Sequence, residues 1–269
     1  MHAYVINLAR SPERRAHITA ELDRVGVDYE IVEAVDGRNL DLDDPKTIAS
    51  IAPSMLNSSW FLPSHVAVAL SHLRVYRKIL ADGLDWALVL EDDIIVPTDL
   101  GSLVDAVAEH LDGAEIALLN YDSKDPLKMS REGLVHLLSS RALVLPIDVY
   151  QVVSGAAYVI TRKACERMDK SVLPVRAKCD HWSHFYSEGV LDRVRCVVPP
   201  AVYKSPGFAS TVGYNSGESL KARLLRMIAR HDLQFLQQMV VYRRQRILRK
   251  YARAKVVDEP FVAKPSRLE

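Results

Sequence analysis

Asp85-Trp86-Ala87-Leu88-Val89-Leu90-Glu91-Asp92-Asp93 is the stretch that decides the fold. Its unbroken apolar run has the length of a strand buried on both faces, the kind that sits in the middle of a parallel α/β sheet. The run ends in three acids. Like charges repel, so a strand end built this way calls for a counter-charge, and a divalent cation supplies one. Hard ions such as Mn²⁺ or Mg²⁺ take carboxylate oxygens together with phosphate oxygens, and the ion then offsets the charge of a departing diphosphate. Period two turns Glu91 and Asp93 to one side, so this pair is expected to hold the metal, with Asp92 meeting a ribose or supporting the pair. A solvated acidic loop is the plainer reading of the same triplet.

Upstream, the pattern agrees with a parallel sheet. Ser64 to Ala81 carries an apolar helical stripe ending at Gly83. Ala3 to Leu8 reads as a strand, and Ser11-Pro12 starts a helix with Ile18, Leu22 and Val25 on one face, closed by Gly26. Tyr29 to Val35 reads as a second strand ending in a tight turn at Asp36-Gly37. Residues 41–63 are proline-punctuated loop with short helical pieces. Strand, helix, strand is the opening of a parallel α/β sheet, whose ligand site lies beyond the C-terminal strand ends.

Downstream, a helix is expected over residues 99–111 and a strand over Glu115–Leu119, with no element assigned from there to Pro146. Val149 to Ile160 reads as a strand in which Ser154-Gly155-Ala156-Ala157 lets a ligand approach the backbone, so Gly155 is placed at the acceptor. Thr161 caps a helix through Asp169, a loop leads to Asp180-His181-Trp182, and Arg193–Val198 is a strand. Residues 219–253 read as a long helical stretch.

The 269 residues, 49% apolar and 26% charged, predict an α/β domain over 1–218 and a basic amphipathic helical tail over 219–269. Between Lys221 and Lys255 eleven Lys and Arg face one acid, Asp232, while the whole chain carries only +1, so the body is acidic and the tail basic. Leu224, Ile228 and Leu236 give the tail an apolar stripe. It can lie on an anionic membrane through residues 219–255, or pack on the body or on a second subunit of an oligomer. No nucleic-acid partner is expected, since only Tyr242 and Tyr251 interleave with the basic run. The short N-terminal apolar run and the lack of a membrane-length segment predict a cytoplasmic protein, peripheral on the inner membrane if the tail binds lipid. Cys165, Cys179 and Cys196 lack paired zinc spacing and fit reduced thiols.

Four segments in order carry a family likeness. They are Tyr4-Val5-Ile6-Asn7-Leu8 with Ser11, Glu13, Arg14 and Arg15; Glu33-Ala34-Val35-Asp36-Gly37; Leu70-Ser71-His72-Leu73 with Tyr76 and Lys78; and Leu88 to Asp93. Together with Gly155–Ile160, Pro174–Asp180 and Pro199-Pro200 they resemble glycosyltransferase family 25, the bacterial lipooligosaccharide galactosyltransferases and their collagen-modifying relatives. The resemblance implies a GT-A (Rossmann-like) glycosyltransferase fold, a UDP-sugar donor with UDP-galactose foremost, inversion, a carbohydrate or glycolipid acceptor, and Mn²⁺ or Mg²⁺. UDP-glucose or UDP-N-acetylhexosamine as donor, and a non-catalytic nucleotide-sugar-binding protein, remain as alternatives.

By resemblance and topology, Asn7, Leu8, Arg14, Ala34, Asp36, Gly37, Ser71, His72 and Asp92 are expected around the donor. Inverting transfer needs a base at the acceptor hydroxyl, and Asp180 is assigned to it, with Trp182 and Tyr186 stacking on the acceptor sugar. Competing readings stand beside each: a solvated helix arginine for Arg14, a turn for Asp36-Gly37, a core histidine for His72, a helix cap for Asp180, and core packing for the aromatics. His181 and His184 are further candidates for the metal shell.

Overall fold

The structure, a computed structural model, describes residues 1–57, 62–122, 127–208 and 255–258. Strand β1 (Ala3–Asn7), helix α1 (Pro12–Val25) and strand β2 (Tyr29–Glu33) form the expected opening unit, with β1 and β2 parallel. Gly26 ends α1 in the left-handed conformation at φ 67°, which a residue without Cβ adopts at no steric cost. Short helices α2 (Pro45–Ala49) and α3 (Pro53–Leu56) lead to α4 (Pro63–Ala81), and then to β3 (Trp86–Glu91), which pairs parallel with β1.

After the two-residue strand β4 (Ile94–Ile95) come α5 (Leu100–Ala108) and β5 (Glu115–Leu118). The segment left unassigned is a hairpin, β6 (Lys128–His136) and β7 (Ala142–Pro146), with a register shift between Ser130 and Val135. The strand expected over Val149–Ile160 is shorter, β8 (Ala157–Thr161). A 3₁₀ turn at Val149–Gln151 and Ser154 at φ 149° interrupt the run before it. Helix α6 (Arg162–Ser171) follows with Thr161 as its cap, its hydroxyl accepting from the Ala164 N–H. Helix α7 (Trp182–Ser187), β9 (Arg193–Val198), β10 (Tyr203–Lys204) and β11 (Lys255–Val257) complete the described chain.

Nine strands form one mixed sheet in the order β11-β6-β7-β9-β5-β8-β3-β1-β2, and β10 pairs with β4 as a separate ribbon. β3 is central, held parallel to β1 on one side and antiparallel to β8 on the other. Its residues alternate between two cores: Ala87 and Val89 pack with α4, α6 and α7, while Leu88 and Leu90 pack with α1 and α5. An unbroken apolar run is what a strand covered on both faces requires.

The helical tail expected over 219–253 lies outside the described residues. One correction applies at its end: Lys255–Val257 is a strand, parallel to Lys128–Ser130 of β6, so the sequence after 219 is not helical throughout. Adjacent Val256 and Val257, stiff at χ1, suit an edge strand better than a helix.

Candidate functional site

The parallel strands β2, β1 and β3 end side by side, and a cleft of about 400 Å³ opens beyond them. Ile6 and Leu8 come from the end of β1, Ala34 and Val35 from the end of β2, and Glu91, Asp92 and Asp93 from the end of β3. Ser71 and His72 of α4, Arg14 of α1, Gly155 ahead of β8, and Asp180 ahead of α7 line the same space. The site thus lies where an open parallel sheet places its ligand.

The three acids have different surroundings. Asp92 is buried and locked: Asn7 donates to Oδ2 at 2.7 Å and Arg14 donates to Oδ1 at 2.9 Å. Arg14 also reaches Asp93 Oδ2 at 3.5 Å, and its guanidinium lies 5.3 Å from the Phe208 ring centre. Arg14 is therefore not a solvated helix arginine. Asp93 Oδ1 is buried with no hydrogen-bond partner, a costly state for a carboxylate oxygen. Glu91 is pushed up to about 7, first by burial and then by Asp93, Asp180 and Asp92, against the pull of Lys204. An orphaned Asp93 oxygen in a cleft shared with the carboxyl groups of Glu91 and Asp180 would suit a divalent ion. Such an ion would need further oxygens from phosphate and water, since among the described residues no group of three or more His, Cys, Asp or Glu side chains is set to hold one alone.

Opposite Glu91 stands His72. The Tyr158 hydroxyl donates to Tyr76 at 3.1 Å, so its oxygen accepts from His72 Nδ1 at 2.7 Å. Nε2 is then the unprotonated nitrogen, and it is buried without a partner. Burial also lowers His72 to about 4, keeping the ring neutral. A Cβ at Gly155 would lie 3.3 Å from His72 Nε2 and 3.5 Å from Glu91 Oε1. The absent side chain at Gly155 is what leaves room beside these two polar atoms. Gly155→Ala should therefore lower donor turnover about tenfold while leaving the melting temperature nearly unchanged. Unchanged turnover would place this wall away from the reacting centre.

Several expected residues sit elsewhere. Asn7 does not line the cleft; it acts on Asp92, and its NH₂ also donates to the Ser11 carbonyl. Ser71 lines the cleft, but its hydroxyl is engaged by backbone, donating to Ala67 and accepting from Val35 N–H. Asp36 and Gly37 lie outside the lining. Asp36 caps a 3₁₀ turn at Gly37–Asn39 and pairs with Arg10. Gly37 is required by packing, since a Cβ there would lie 2.8 Å from Ser64 Cα at the start of α4.

Trp182 corrects the acceptor assignment: it is fully buried, and its indole N–H donates to the Ser154 carbonyl at 2.9 Å, so it fixes the backbone next to Gly155 and has no face for a sugar. Tyr186 is half-buried against the core, and Tyr186, His181 and His184 all lie outside the lining. Asp180 does not cap α7; His181 holds the N-cap position and no side chain caps it.

Sequence reasoning missed Asp122, Lys178, Lys204, Ser205 and Phe208, all in the lining. Lys204 reaches it because β10 pairs with β4, Lys204 opposite Ile94, and the Ser205 N–H donates to the Asp93 carbonyl at 2.6 Å. Burial pulls Lys204 down, yet the carboxylates of Glu91, Asp122, Asp93 and Asp180 outweigh it and hold the amine above its ordinary value.

The raised Glu91 predicts a pH dependence. The native state keeps a proton that the unfolded chain has lost, so stability falls as pH rises from about 4.5 through about 7. In EDTA the melting temperature should be lower at pH 8 than at pH 6, and Glu91→Gln should flatten that difference. An equal slope in both proteins would remove Glu91 as its source.

Residues 1–182 match glycosyltransferase family 25 (LPS biosynthesis protein). A glycosyltransferase 25 family member of Aedes aegypti is 37% identical over 97 residues, covering 35% of this chain and 16% of that protein. The mouse protein named inactive glycosyltransferase 25 family member 3 is 32% identical over 95 residues, covering 34% of this chain and 16% of its own length. The lacto-N-neotetraose biosynthesis glycosyltransferase LgtE of Neisseria meningitidis serogroup B is 28% identical over 100 residues, covering 37% of this chain and 34% of LgtE. The matched stretch contains every strand end and both helices that build the acidic wall, in the α/β arrangement the resemblance implied. The chain belongs to glycosyltransferase family 25.

Proposed function

We propose that the cleft is the active site of an inverting transferase that moves a sugar, galactose from UDP-galactose foremost, onto a lipooligosaccharide or related glycan. The observation that carries this reading is the meeting of Glu91, Asp93, His72 and Asp180 in one cleft at the strand ends. Glu91 and Asp93 would hold Mn²⁺ or Mg²⁺, which supplies charge to the leaving diphosphate when bound. Asp92 is fixed by Asn7 and Arg14 and so orients the acidic wall. Leu8, Ala34 and Val35 present apolar surface at the ends of β1 and β2 for the nucleoside. Asp180, in the same lining, takes the proton of the attacking hydroxyl, and His72 Nε2 offers an acceptor to a donor hydroxyl.

UDP-glucose and UDP-N-acetylhexosamine fit the same geometry, and the mouse relative's name raises a non-catalytic reading. The presence here of Glu91, Asp93 and Asp180 in one site favours turnover. A donor screen by UDP release, with and without Mn²⁺, tests the proposal. Metal-stimulated release from one UDP-sugar supports it, and binding of UDP without release from any donor would make this a binding protein.

Membrane contact through residues 219–255 remains part of the proposal. No helix among the described residues is long and apolar enough to cross a bilayer. Because β11 belongs to the sheet, the test should keep the chain whole. Replacing Arg243, Arg244, Arg246 and Arg249 with Gln should cut sedimentation with anionic liposomes, by roughly 1 kcal/mol for each charge at the surface. Equal recovery would reject lipid contact through this run.

A further inference from the structure

The acidic wall leaves an electrostatic problem that the proposed metal does not solve alone. Glu91, Asp93, Asp122 and Asp180 line one cleft, and a nucleoside diphosphate entering it brings more negative charge. Arg14 is committed to Asp92 and Asp93. Lys204 stands differently: it lines the cleft, is only partly exposed, and makes no ion pair within 4.0 Å with any described residue. A cation surrounded by carboxylates but bonded to none of them faces open space that a ligand can fill.

The fold also holds Lys204 there. Its strand is paired to β4, immediately after the acidic triplet, with Lys204 opposite Ile94. The next residue, Ser205, is tied by its N–H to the carbonyl of Asp93. Phe208 then packs on both Arg14 and His17, the latter ring 5.1 Å away edge-on. Residues 203–208 therefore form a strap over the acidic wall, fixed at Asp93 and at Arg14, which sets the lysine against the cleft.

We propose that Lys204, carried on this strap, is a direct ligand of the donor diphosphate beside the Glu91–Asp93 pair. The inference rests on the nucleotide-sugar reading above and deepens it. It also assigns a substrate contact to a segment beyond the family match, which ends at residue 182. A purely structural lysine, present only to offset the four acids, would affect folding and leave diphosphate selectivity alone.

The test compares UDP with uridine, measured by calorimetry on the full chain, in Mn²⁺ and in EDTA. In EDTA the lysine is expected to give wild-type protein a preference for UDP over uridine of about tenfold or more, a charge-assisted contact that needs no ion. Lys204→Gln should bind uridine as wild type does and lose that preference, and Lys204→Arg should keep most of it. A Gln variant that binds UDP as well as wild type does would overturn the proposal. If the Gln variant does not fold, the wild-type arm decides, since no UDP preference in EDTA would equally overturn it. Wild-type protein that binds neither UDP nor uridine in Mn²⁺ would instead sink the nucleotide-sugar reading itself.

Discussion

Asp180→Asn should hold UDP as tightly as the wild type and lose sugar transfer by about 10²- to 10⁴-fold, the range that a positioned base contributes. Asn keeps the shape and takes no proton, so the loss falls on the chemical step. The structure adds a competitor that the sequence did not offer: Asp122 also lines the cleft, brought there by the bridge between Asp122 and Val153. Asp122→Asn is therefore the matched control. If transfer survives in the Asp180 variant and disappears in the Asp122 variant, the base belongs to Asp122. Helix capping is no longer an alternative explanation for Asp180, because α7 begins with His181 at its cap.

Asp93→Ala should abolish stimulation by Mn²⁺ and reduce donor turnover by about a hundredfold or more, since a lost Lewis acid costs several kcal/mol at the leaving group. The fold should survive. Asp93 gives up one 3.5 Å ion pair through Oδ2 to Arg14, which keeps its bond to Asp92, and its Oδ1 has no partner to lose. Removing a crowded negative charge next to Glu91 should even bring the Glu91 carboxyl back toward its ordinary range. Isothermal titration with Mn²⁺ in the presence of UDP reads the first effect. Normal metal-stimulated turnover in this variant would detach the acidic triplet from the mechanism.

The parts of the fold that were legible in sequence are those where one period dominates. β1, α1, α4 and β3 each bury an uninterrupted pattern, two-faced for the strands and one-striped for the helices. The β6–β7 hairpin was not legible. A register shift after Ser130 and a left-handed Gly133 at φ 65° break its alternation, and three consecutive residues of β6, Arg131, Glu132 and Gly133, are exposed. β8 was overextended because Val149 and Val152 are apolar for core packing although the backbone there turns.

The site divides the same way. Glu91, Asp92 and Asp93 announce themselves as a run at a strand end, and Ser71-His72 sit on a periodic helix. Lys204 and Asp122 are single charges in unremarkable segments, and only the β4–β10 ribbon and the order of the sheet bring them to the acids. Trp182 was misassigned because an aromatic next to a candidate base reads the same whether it faces a sugar or the core. Its indole bond to Ser154 decides between them.

The return of Lys255–Val257 to β6 has a practical outcome for anyone shortening this protein. β6 has β7 on one flank, and among the described residues its other neighbour in the sheet order is this three-residue strand. Deleting it would strip the outermost ladder bonds and bare a row of amide and carbonyl groups to any passing polypeptide. Trimmed versions should accordingly clump as their concentration rises, even if their catalytic chemistry is untouched.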